Sequence, residues 1–364
     1  MNSSTATDNR PLFNFVEPLD FRSLAENDPL LLDLIGTRAF QRLRSIRFLG
    51  GIDYLFVPVP NGAKGNVRYT RYQHSLGVAR LAILYCSHVA VNRTSRHLAT
   101  AAALLHDIGH GPLSHSLEPV FEDRFDITHH KATELIISGD VALGASIRDV
   151  LRNYNVNVDR VLELIFGRSN DFDFFFSGPI NFDTIEGILR SQSYAKPRPN
   201  IPSPETVTEA ALHRESDKDR ALVDEFWTYK DQVYRHIINS RSGVLADFAC
   251  QAFMRANLDK VSMDDYFASE VDIFRKFPGL REALTSRTFE FELMQSLEGP
   301  IAYKARRFAI DFEADFFARA DRARYKQRKE ERHLLPREIE GTRTVELKQD
   351  LFDDDSDRAR EGAF

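Results

Sequence analysis

A chain of 364 residues with 43% apolar content can bury one large core or two modest ones. Its 48 Lys and Arg against 54 Asp and Glu leave a net charge of −6, which excludes a polycation that grips nucleic acid by bulk electrostatics and leaves only a local patch for that purpose. Two distant cysteines, Cys86 and Cys250, exclude a disulfide scaffold, a thiolate zinc finger and an iron–sulfur cluster, and they fit a reducing cytoplasm.

The polar stretch from Met1 to Arg10 has no signal-peptide core, and no segment approaches the roughly 18 apolar residues of a membrane span, so neither export nor a membrane partner is expected. Apolar positions recur at helical spacing over residues 30–49, which predicts an early helix. Residues 53–57 are aromatic and β-branched, Pro58 and Pro60 close them, and Val67, Arg68 and Tyr69 offer a return strand, which predicts a small hairpin near residues 53–70. Ala- and Leu-rich residues 74–91 and 95–105 read as two buried antiparallel helices. Further helices are predicted over 131–138, 147–153, 159–166 and 182–191. Four prolines in residues 195–204 then mark a crossing loop or boundary. Helical spacing returns over 212–239, 244–258, 263–274 and 303–332. Acidic residues then dominate a tail expected to stay loose. The class is all-α. It divides into an N-terminal segment (1–29), a helical core (30–194), a C-terminal helical region packed on that core (205–340) and the acidic tail (341–364).

Eight of the eleven histidines fall within residues 74–130. The densest stretch runs His106-Asp107-Ile108-Gly109-His110-Gly111-Pro112-Leu113-Ser114-His115, where a helix stops at a Gly-Pro turn and gathers three imidazoles and a carboxylate. Imidazole and carboxylate suit Zn, Mn, Fe or Co, and the lack of thiolates points to an open catalytic metal rather than a closed structural one.

His74, then His106-Asp107, then a distant Asp183 resembles the pattern of the HD-domain metal-dependent phosphohydrolases. The flanking Phe40-Gln41-Arg42-Leu43-Arg44, Leu49-Gly50-Gly51 and Arg71-Tyr72-Gln73-His74-Ser75-Leu76-Gly77-Val78 resemble the deoxynucleoside triphosphate triphosphohydrolase branch that includes SAMHD-type proteins. The resemblance covers roughly residues 36–135 and 180–191. It implies that His74, His106, Asp107 and Asp183 bind a divalent transition metal (Mn, Fe, Co, Ni or Zn), with Mg entering on substrate phosphates. It implies that His115 moves a proton at the scissile bond, that Glu118 holds its tautomer, and that His110 and His129 neutralise phosphate. Arg71 and Leu49 would contact substrate. By the same resemblance the partners are a nucleotide and further copies of the chain.

Several positions depart from that branch. Phe48 stands in place of a Gln that reads the sugar, Thr184 in place of a phosphate-binding Lys, Gly187 in place of a Tyr, Ser191 in place of an Asp and His130 in place of a Glu. The loss of polar partners removes the basis of strong sugar discrimination, and Gly187 is expected to enlarge the pocket beside the substrate. Glu186 is a fallback ligand. A nuclease or nucleoside-monophosphate phosphatase on the same site, with single-stranded nucleic acid as partner, is the alternative; a catalytically degenerate nucleotide-sensing scaffold is a further one. Phe172, Phe174, Phe175 and Phe176 read as packed core before base-stacking platform. Arg319, Arg322, Arg324, Lys326, Arg328, Lys329 and Arg332, which alternate with Asp and Glu, read as the solvated face of a helix.

Overall fold

The computed structural model describes residues 28–55, 68–169, 171–172, 175–192, 201–214, 216–286, 288–314 and 322–335. The amino-terminal helices are α1 (Pro29–Gly36), α2 (Arg38–Arg42), α3 (Arg71–His88), α4 (Arg93–Leu105), α5 (Glu118–Phe125), α6 (His129–Ser138), α7 (Ala145–Asn153), α8 (Val158–Ile165) and α9 (Phe182–Gln192). After them come α10 (Pro204–His213), α11 (Asp217–Val233), α12 (Arg241–Ala256), α13 (Glu270–Lys276), α14 (Pro278–Thr285) and α15 (Phe289–Ser296), then the strands β1 (Ile301–Ile310) and β2 (Tyr325–Leu334). The all-α class holds, with one small antiparallel hairpin among the described residues. None of the described helices is long and apolar enough to cross a membrane.

Helix α3 is the central element because it is buried on nearly every side. Leu76, Ala79 and Ile83 enter a core shared with α1, α2, α4, α7 and α8. Val78, Leu81, Ala82 and Tyr85 enter a second core with α9, α10 and α11. A third core joins α5 and α6 to α12 through α15. Phe175 belongs to the second core, stacked on Phe182 at 4.7 Å, so the aromatic run serves packing there; Phe174 lies outside the described residues.

Four sequence expectations need correction or a limit. The early helix is two: Thr37 breaks it by donating to Leu34 O (2.7 Å) and accepting from Phe40 N (3.3 Å), which caps α2. The hairpin near residues 53–70 is not seen as such. Residues 50–54 form a 3₁₀ turn, a bridge joins Arg47 to Thr70, and residues 56–67 lie outside the described residues. Residues 212–239 are not one helix, because Arg214 turns left-handed (φ 51°) between α10 and α11.

The largest correction concerns residues 303–332, read as a basic helix, which supply most of β1 and β2. Ile310 pairs with Tyr325 and Ile301 with Leu334. The buried positions Ile301, Ala305 and Phe308 sit four and three apart, a spacing that mimics a helix in sequence. Side chains of α11 decide the outcome. Asp231 accepts from Phe308 N (2.8 Å), and Trp227 Nε1 donates to Ala309 O (3.1 Å). Asp224 holds Arg324 at 2.6 Å, so α11 anchors the hairpin at residues 308, 309 and 324. Arg319, the acidic tail, residues 1–27 and residues 193–200 of the proline-rich stretch lie outside the described residues.

Candidate metal centre

Thr70 opens α3 with a capping box, accepting from Gln73 N and receiving Gln73 Oε1 at its own amide, so His74 follows within the first turn. His74 is fully buried. Helix α4 stops at Leu105 and His106 caps it, which turns the following Asp107 inward. Arg42 fixes this turn by donating to Ile108 O (3.0 Å) and His110 O (2.8 Å), a local reason for the Phe40–Arg44 signature. On α9, Asn181 rather than Asp183 caps the helix by accepting from Thr184 N (2.7 Å). Asp183 is thereby free, and its side chain is 60% exposed on the rim of the site.

These residues converge. His74 Nε2 lies 3.2 Å from His106 Nε2, 3.1 Å from Asp183 Oδ1 and 3.5 Å from Asp107 Oδ2. His106 Nε2 lies 3.4 Å from Asp107 Oδ1 and 3.7 Å from Asp183 Oδ1. Both Nδ1 atoms are engaged elsewhere, His74 with Glu186 and His106 with Ala103 O. Two Nε2 atoms with their Nδ1 protons committed face each other between carboxylates, an arrangement that a divalent cation satisfies. Burial opposes charge on His74, yet Glu186, Asp183 and Asp107 outweigh it and raise its pKa to about 9. Burial likewise opposes charge on Asp107, but His106 and Arg71 hold its pKa well below the usual carboxylate range. The pocket demands positive charge, and its donors fit a metal.

Glu186, read as a fallback ligand, stands one layer out. It contacts Nδ1 of His74 and accepts from Arg190 Nε at 2.8 Å, so it sets the tautomer of the imidazole. Gly77 makes room for it, since a Cβ there would meet Glu186 Oε1 at 2.3 Å.

Beside the donor cluster lies a second imidazole group. Glu118 accepts from His115 Nδ1 (3.0 Å), His129 Nδ1 (2.7 Å) and His129 N (3.1 Å), and so orients two histidines rather than one. His115 opens to the cleft with 61% of its side chain exposed. His110 is buried, its Nε2 lies 3.3 Å from Asp107 Oδ1, and burial with the charge of Arg71 holds its pKa well below the usual imidazole value. Arg71 pairs with Asp107 (2.6 Å) and donates to Ser114 Oγ (3.1 Å). His130 lies against His129 with ring centroids 4.0 Å apart.

Phe48 covers His74 at 4.8 Å, and its Cζ lies 3.5 Å from where a Cβ on Gly187 would stand. An aromatic ring from position 48 thus closes much of the space that Gly187 opens, and the pocket is reshaped rather than simply enlarged. Leu49 lines this wall with Phe48, Tyr69 and Ile237.

Two residues escaped the sequence reading because each arrives from far along the chain. Lys230 on α11 is buried between Trp227 (4.4 Å) and Phe308 (4.8 Å), without a carboxylate partner among the described residues. Burial lowers its pKa to about 8 against the opposing field of Asp183. Glu270 on α13 accepts from Arg47 N (2.8 Å), Leu113 N (2.9 Å) and the Tyr54 hydroxyl, and ties together the two loops that carry Leu49 and His115. Leu113 and Ser114 are both left-handed (φ 56° and 46°), a strain of roughly 1 kcal/mol or more each that these bonds must hold.

Burial raises the pKa of Glu270 to about 7. The folded state therefore keeps a proton that the unfolded chain loses near pH 4.5. This contribution is full below pH 4.5 and is lost as pH climbs through 7, at most about 3 kcal/mol. Glu270→Gln keeps the amide acceptor and should flatten that part of the stability curve. Urea unfolding at pH 5 and pH 8 checks it; an equal pH dependence in the two proteins contradicts the assignment.

An HD domain model matches residues 71–170, the span that holds three of the four convergent donors. The chain is 35% identical to the uncharacterized protein YwfO of Bacillus subtilis over 185 residues, 50% of this chain and 40% of that protein. It is 42% identical to deoxynucleoside triphosphate triphosphohydrolase SAMHD1 of Danio rerio over 105 residues, 26% of this chain and 15% of that protein. For SAMHD1 of Bos taurus the figures are 31% over 142 residues, 36% and 23%. The matched part thus spans less than half the length of each relative. An HD domain is the class that the fold and the donor cluster define. Residues 71–170 carry an HD domain, and the SAMHD1 proteins are among the relatives that this part of the chain resembles.

Proposed function

We propose that the protein hydrolyses a phosphoester or phosphoanhydride bond of a nucleotide at a divalent metal held by His74, His106, Asp107 and Asp183. The observation that carries this reading is the meeting of His74 Nε2, His106 Nε2 and Asp183 Oδ1, with His74 Nε2 3.2 Å from His106 and 3.1 Å from Asp183, beside Asp107. When bound, the ion supplies a water acidified toward neutrality and a Lewis-acid contact for a phosphate oxygen.

The rest falls to the chain. Arg71, anchored on Asp107 and Ser114, presents a fixed guanidinium to phosphate. His115, with Nδ1 held by Glu118, offers Nε2 to the leaving oxygen for proton transfer. His129, held by the same carboxylate, lies beside it. Lys230 takes the phosphate-binding task that Thr184 cannot perform. The reshaped wall of Phe48, Leu49 and Gly187 relaxes recognition of the sugar, so a triphosphate is the lead substrate and deoxyribose is not required.

A screen of metal-replete protein against nucleoside mono-, di- and triphosphates tests the reading. Metal-dependent release of phosphate or tripolyphosphate is expected; its absence with every nucleotide and every metal among Mn, Fe, Co, Ni and Zn overturns it. Lys230→Met should raise KM for the preferred nucleotide about 10- to 100-fold, the worth of one charge-assisted hydrogen bond. Melting temperature should hold or rise, because a buried unpaired ammonium is removed. An unchanged KM removes Lys230 from the site.

A further inference from the structure

A groove of about 580 Å³ opens at His130, separated from the donor cluster by His110 and His129, and no step above uses it. Its lining includes His130, Lys131, Phe166, Arg168, Phe176 and Arg322. A continuous row of imidazoles leads into it. His110 lies 3.3 Å from Asp107, His129 stacks on His110 at 4.6 Å, and His130 follows at 4.0 Å. His130 then meets Phe166 edge-on at 5.6 Å, at the wall of the groove.

The charge of this groove is positive. Arg168 is exposed, lies 5.0 Å over Phe166, and has no carboxylate partner among the described residues. Arg322 is exposed as well; it donates to Ser177 O (3.1 Å) and also lacks a carboxylate partner among the described residues. Lys131 pairs only with the exposed Glu134 at 3.3 Å, an ion pair that water screens and a ligand can displace. At the mouth, His130 occupies the position where the resembling branch has a Glu, so a charge that would repel an anion is absent. A single nucleotide held at the donor cluster does not need this volume. Phosphates that continue past the reacting one do.

We infer that the groove binds the continuation of a single-stranded nucleic acid whose terminal phosphate lies at the metal centre, with successive phosphates against Arg168 and Arg322. This rests on the proposed phosphohydrolase site and adds a strand end to the triphosphate as a second substrate class for it. Aromatic side chains beside the cations, Phe166 and Phe176, give the bases an apolar surface.

The test reads binding without turnover, so its failure is separate from failure of the hydrolytic reading. Fluorescence anisotropy of a labelled, terminally phosphorylated eight-nucleotide oligothymidylate with hydrolysis-resistant phosphorothioate linkages is followed with the metal-replete protein, over a series of salt concentrations. Arg168→Ala combined with Arg322→Ala should weaken binding at least about tenfold and lower the log–log salt slope by about 1.4, roughly 0.7 for each phosphate that is no longer neutralised. Arg281→Ala, an exposed change outside the groove, should alter neither quantity. Absence of binding by the unaltered protein, or equal affinity and slope in the double variant, overturns the inference. In either case nucleotide hydrolysis in the metal-replete screen still decides the role of the donor cluster.

Discussion

Asp107→Ala is expected to abolish hydrolysis and to lower the bound-metal content, by more than the roughly 100-fold that loss of an outer partner costs. Asp107 does three things at once. Its carboxylate faces both Nε2 atoms, pairs with Arg71 at 2.6 Å and lies 3.3 Å from His110. Removal leaves the buried Arg71 guanidinium unpaired, which also costs about 3–5 kcal/mol of stability. Two variants separate these effects. Asp107→Asn keeps the shape and a hydrogen-bond acceptor for Arg71, so its stability should lie well above that of the Ala variant while its metal content stays low. Elemental analysis after dialysis, with thermal unfolding alongside, checks both. Full metal occupancy in the Asn variant contradicts the ligand assignment, whatever the activity.

Gly109→Ala should unfold the site without touching a single functional group. A Cβ at this position would stand 2.2 Å from His129 O and 2.3 Å from Thr133 N, both backbone atoms that cannot swing aside. Gly109 N also donates to Thr133 Oγ1 at 3.1 Å, so the turn and α6 share a hydrogen bond that the added methyl would pry apart. Overpacking against main chain costs about 3 kcal/mol or more, and for a chain of this size that lowers the melting temperature by roughly 4 °C or more. Activity should fall further than stability, because the clash separates Asp107 and His110 from His129. A melting temperature within about 2 °C of the unaltered protein would contradict this close approach.

What could be read from the sequence was what local spacing controls. The α3–α4 pair, the break after Leu105 and the clustering of His106, Asp107, His110 and His115 follow from Ala- and Leu-rich periodicity ending at Gly and Pro. Asp183 was legible only through resemblance, since nothing near it in sequence shows that α9 packs against α3. The hairpin was misread because Ile301, Ala305 and Phe308 repeat at helical intervals; hydrogen bonds from Asp231 and Trp227, some 70 to 80 residues upstream, select the strand instead. Lys230 and Glu270 were invisible for the same reason. Each is an ordinary charged residue on an amphipathic helix until tertiary packing buries it beside α9 or under the Leu113 loop. Phe48 shows the converse. Its identity was noted as the loss of a polar group, but only its position over His74 reveals that it refills the gap at Gly187.

The carboxylate of Glu270 lies a hundred residues beyond the stretch that the HD domain model covers, and yet two amides next to the reaction centre have no other acceptor among the described residues. A graft of residues 71–170 alone into a foreign scaffold would carry the signature motif while leaving Leu113 N bare and the strained turn free to relax. The proposed hydrolysis therefore draws on both halves of this molecule, and motif transfer without α13 should yield a folded imitation without that activity.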